Sequence, residues 1–69
     1  MKKLNYPNLS AEMARHGETQ RDLATFLGKE YGAIWRRMTG QVEWSIGEIE
    51  KICEHYNKNY YELFKKDEE

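Results

Sequence analysis

An all-α domain of five short helices is the fold this chain predicts, and three observations carry the prediction. Apolar residues recur at three- and four-residue spacing, as in Leu23, Ala24 and Leu27 or in Ile34 and Met38. Glycines stand directly after these runs, at Gly17, Gly28 and Gly40, where a helix that must stop needs a residue tolerant of φ > 0. Residues that cap helix starts, Thr19 and Ser45, precede the apolar runs, and Glu48 follows Ser45 at capping-box spacing.

Taken in order, the first helix begins near Pro7, which a first turn tolerates, with Asn5 or Asn8 as its cap. It buries Leu9 and Met13 and ends at Gly17. The second opens at Thr19, buries Leu23, Ala24 and Leu27, and turns at Gly28. The third covers residues 30–39, turns Ile34 and Met38 inward, and is stopped by Gly40. Helix four starts at the Ser45/Glu48 box, with Trp44 and Ile49 spaced as a hydrophobic staple. One face of it carries Ile46, Ile49, Ile52, Cys53 and Tyr56. Asn57-Lys58-Asn59 breaks that helix, and Tyr60, Leu63 and Phe64 form a last short one. A single domain over 1–69 results, with its core at about 8–64 and a charged tail at 65–69 expected to fray.

Two amphipathic helices folded about one glycine make a helix-turn-helix, whose second helix can lie in a DNA major groove. Thr19-Gln20, Leu23-Ala24, Leu27-Gly28, Ile34 and Gly40 resemble the phage repressor/Cro (XRE) family of bacterial and phage regulators. Residues 8–15 with Gly17 look like the first helix of its small members. Glu48-Ile49, Lys51-Ile52 and Leu63-Phe64 look like its fourth and fifth helices. The resemblance implies a lambda-repressor-like fold and a sequence-specific transcriptional regulator of phage or prophage type. It also implies double-stranded DNA as partner, with operator occupancy as the mechanism.

By position, Tyr31, Gly32, Trp35 and Arg36 match the residues with which family members touch bases. Arg36 has the planar fork that bonds guanine O6 and N7, and Tyr31 and Trp35 can pack on thymine methyls or on the sugar-phosphate backbone. Gly32 reads nothing but permits close approach. Gln20 matches the family's phosphate-binding glutamine, and Lys29, Arg37, Thr39 and Gln41 border the third helix as phosphate contacts. On the competing reading, Arg36 and Arg37 only solvate a surface and Trp35 completes a small core. Two residues depart from the family pattern: Glu30 stands at the third helix's cap, where relatives carry Ser or Thr, and Gly32 costs roughly 1 kcal/mol of helix propensity.

Charge gives less support. Eleven basic against twelve acidic residues leave a net −1, short of the usual nucleic-acid-binding footprint. Residues 1–43 carry seven basic and five acidic groups, and residues 44–69 carry four and seven, so the DNA-facing half is the basic one. The alternative is therefore kept open: a helix-turn-helix-shaped protein-protein interaction module, an anti-repressor or structural partner, anchored by Tyr31 and Trp35. The start Met1-Lys2-Lys3 is not followed by an apolar stretch, and no run reaches membrane-spanning length. A lone Cys53 suits a reducing cytosol. No phosphate loop, metal spacing or catalytic pair occurs, so no enzyme activity, cofactor or small-molecule substrate is expected; Cys53 and His55 at i, i+2 point to different sides. Assembly is expected to be a weak homodimer on DNA, with Leu63 and Phe64 or Tyr60 closing the core and Tyr61 and the tip of Tyr56 left for the contact.

Overall fold

The computed structural model describes residues 5–65. Within them the chain is all-helical, with α1 at Pro7–Arg15, α2 at Gln20–Leu27, α3 at Tyr31–Met38, α4 at Ile46–Tyr56 and α5 at Tyr60–Phe64. Residues 66–69 of the charged tail, like Met1-Lys2-Lys3, lie outside the described residues. No described helix is long and apolar enough to cross a membrane.

Local chemistry explains most of the boundaries. Thr19 accepts a hydrogen bond from the Asp22 N–H, and its own N–H donates to the Asp22 carboxylate, so α2 begins in a capping box. Ser45 and Glu48 form the same arrangement at α4, and Asn59 and Glu62 at α5. Gly28 closes α2 in the left-handed region at φ 71°, and the Lys29 N–H then reaches back 2.8 Å to the Ala24 carbonyl. A residue with a Cβ would strain that turn. The start of α1 departs from expectation. Pro7 is its first residue, but Tyr6 holds the cap position and makes no side-chain cap bond. Asn8 lies inside the helix, and the Asn5 N–H donates instead to the Met38 carbonyl, tying the N-terminal segment to the end of α3.

α2 packs on α3, and α1 and α4 both pack on α5. Leu9, Leu23, Ile34, Met38, Ile52 and Leu63 are fully buried at the centre. An aromatic group covers one side: Tyr6, Trp44 and Phe64 meet edge to face with centroids 5.6–6.4 Å apart. Trp44 is buried, and Ile49 and Cys53 pack against the core half-buried. Ile46 does not join them. It is 75% exposed, because the buried face of α4 is centred on Glu48, Ile52 and Tyr56 and Ile46 lies well to its side.

Candidate nucleic-acid interface

The third helix has three distinct sides. Ile34 and Met38, four residues apart, are fully buried and set its orientation. Tyr31 and Trp35 form a second strip at the same spacing, 43% and 38% exposed. Gly32 and Arg36 form the third, next to it. The guanidinium of Arg36 lies back along the helix, with Nη1 3.4 Å from where a Cβ of Gly32 would stand. Among the described residues Arg36 forms no ion pair and no side-chain hydrogen bond, so its fork of donors is unspent. All four residues expected to touch bases thus fall on one outward arc. Glu30 occupies the cap of α3 and makes no side-chain cap bond, as its length predicts.

The flanking residues are placed differently from expectation. Arg37 turns inward, its Nε 3.0 Å from Glu48 Oε1 and its Nη1 donating to the Ala33 carbonyl. Lys29 Nζ lies 3.3 Å from the other oxygen of Glu48. One buried carboxylate from α4 therefore engages both cations expected to grip phosphate. Burial pushes the Glu48 carboxyl upward, but the Ser45 N–H, Arg37 and Lys29 outweigh it and hold the group below its ordinary range. Thr39 is buried, and its hydroxyl donates to the Trp35 carbonyl, so it closes α3 rather than facing outward. Gln41 is exposed, with its Nε2 donating to Thr39 Oγ1.

Gln20 opens α2 half-buried. Among the described residues its Oε1 is buried with no hydrogen-bond partner, and its Nε2 makes no hydrogen bond either. Beside it is a cation that the sequence reading missed. Arg21 Cζ lies 4.9 Å from the centroid of the Tyr31 ring, a cation–π contact bridging the starts of α2 and α3. No local motif signals it, since ten residues separate the pair.

Elsewhere, Tyr56 and Glu18 form a second polar group. The Tyr56 hydroxyl donates to Glu18 Oε1 at 2.6 Å, and His55 Nε2 lies 3.2 Å from Glu18 Oε2. Tyr56 is buried, so its tip is not free for a contact between copies; Tyr60 and Tyr61 are the exposed rings of α5. Burial, with the bond to Glu18, pushes the Tyr56 phenol well above its ordinary range. Burial likewise raises the Cys53 thiol, which lowers its thiolate fraction. Buried Glu12 accepts from Arg15 and lies 3.0 Å from His16 Nε2. No group of three or more His, Cys, Asp or Glu among the described residues is placed to hold a metal.

These carboxyls set an acid limit on stability. The Tyr56 hydrogen bond, opposed by burial and aided by His55, lowers Glu18. For Glu12, burial acts upward but is outweighed by the His16 bond and by Lys58 and Arg15. Native values below the ordinary 4.5 mean the stabilisation is complete above 4.5 and is lost as pH falls through the lowered values. Thermal melts from about pH 6 to pH 3 should show a falling midpoint, with a smaller fall in Glu18→Gln. A midpoint that rose toward acid would contradict the assigned hydrogen bonds.

Comparison with protein-family models, with curated proteins and with solved structures found no match.

Proposed function

We propose that this chain is a sequence-specific DNA-binding regulator in which α2 and α3 act as a helix-turn-helix and α3 enters the major groove. The observation that carries the reading is the arc of α3 open to solvent, where Arg36, with no ion pair among the described residues, faces away from the buried Ile34 and Met38, and the partly exposed Tyr31 and Trp35 lie between. An unspent guanidinium suits guanine O6 and N7, and the two aromatic edges suit thymine methyls. The Gln20 amide donor, at the start of α2, suits a phosphate. Action is by occupancy of an operator, as in a repressor of phage or prophage type. Two copies on a pseudo-palindrome would meet through Tyr61, 68% exposed on α5.

Selection from random duplex DNA tests the reading. Selected sequences should outcompete random duplex with a shallow salt dependence, a log K against log salt slope of roughly −2 to −3 per chain. Shallowness follows from the capture of Lys29 and Arg37 by Glu48. Arg36→Ala should cost about 1–3 kcal/mol and relax preference at particular base pairs, whereas Gln20→Ala should weaken all sites alike. If no sequence outcompetes random duplex, the operator reading fails. A protein partner docking on Tyr31 and Trp35 then replaces it.

A further inference from the structure

We infer that Arg21, whose guanidinium lies over the Tyr31 ring, is the phosphate clamp of the interface, an inference that rests on the DNA-binding reading above. Arg21 occupies the first turn of α2, where the helix dipole disfavours a cation. Its nearest acidic neighbour in that turn, Asp22, is taken by the Thr19 N–H and hydroxyl. Among the described residues the guanidinium has no ion pair and no hydrogen-bond acceptor; its contact is the face of Tyr31. That arrangement does little for the isolated fold, because an exposed cation–π pair contributes modestly.

It does prepare the side chain for an anion. A cation–π contact occupies no hydrogen-bond donor, so the N–H groups of the guanidinium remain available. A planar fork held this way matches two oxygens of one phosphate diester. The first helix of a helix-turn-helix crosses the backbone while the second enters the groove, which puts Arg21 against phosphate and Arg36 against bases. Arg37 is turned inward onto Glu48, and Lys29 shares its charge with the same carboxylate, so both are weaker candidates for that grip.

The experiment measures wild type, Arg21→Ala, Arg21→Lys and Arg36→Ala against a selected duplex and its single-base variants at several salt concentrations. Arg21→Ala should reduce the salt slope by about 1 and lower affinity roughly 5-fold or more near physiological salt, equally at every base variant. Arg21→Lys should retain the slope but recover only part of the affinity, because an ammonium has neither the fork nor the flat face. Thermal midpoints of both Arg21 variants should match wild type, since the side chain is exposed. Unchanged affinity and slope in Arg21→Ala, while Arg36→Ala still loses base preference, would overturn the clamp and leave the DNA-binding reading intact. Loss of preference at particular base pairs in Arg21→Ala would also overturn it, by making Arg21 a reader of bases. Absence of sequence-selective binding by wild type would overturn both.

Discussion

Ile34→Ala should unfold much of this protein at temperatures the wild type survives, whereas Trp35→Ala, one residue away, should cost clearly less stability. Ile34 is fully buried, and truncating such a residue costs about 2–5 kcal/mol in lost transfer energy and cavity. A domain of this size has roughly 3–10 kcal/mol in total. The melting midpoint should therefore drop by about 10 °C or more. Trp35 is 38% exposed on the outer arc, so its truncation removes less buried surface and, on the DNA-binding proposal, also lowers DNA affinity. Calorimetry of the two variants, with duplex titrations well below the lower midpoint, separates anchoring from reading. Equal losses of stability would mean that α3 is rotated from its assigned register.

How much of this could be read from residues alone depended on the range of each interaction. Thr19 and Ser45 are caps in the structure because an N-cap bond spans three residues and needs nothing beyond its own turn. The inward pairs Leu23/Leu27 and Ile34/Met38 follow from helical periodicity, and both are buried. Ile46 belongs to the apolar stripe of α4 yet is exposed, because the buried face is centred on Glu48, Ile52 and Tyr56, and a polar residue within that face hid its phase from a reading of apolar spacing. The capture of Lys29 and Arg37 was not legible either. Arg37 lies 11 residues from Glu48, and only the packed fold sets their separation. A sequence window shows Glu48 as a capping residue and says nothing of its second and third partners. Tyr6 and Arg21 lack even that hint: one joins an aromatic group built from three distant segments, the other a ring on the next helix.

Glu48 is where fold and candidate interface trade against each other, and Glu48→Gln should make the exchange measurable. The substitution preserves shape and an oxygen for the Ser45 N–H while removing the charge shared by Lys29 and Arg37. Stability at neutral pH should fall by about 1–2 kcal/mol, because the Arg37 side chain, 17% exposed, is left beside a neutral partner. Lys29 is more exposed and adds little to that loss. The loss should shrink in acid. The native Glu48 carboxyl lies below its ordinary 4.5, so its contribution is complete above 4.5 and disappears as pH falls through the lowered value. Wild type and variant should then converge. On the DNA-binding proposal, duplex affinity should move the opposite way at neutral pH. Each cation released toward phosphate steepens the salt slope by about 0.9 and raises affinity roughly 5-fold near physiological salt. A steeper slope with lower stability would identify Glu48 as the residue that restrains non-specific binding in favour of base reading by Arg36. A variant with the wild-type slope and affinity would show that Lys29 and Arg37 do not face phosphate even when released, leaving Glu48 with a purely structural role.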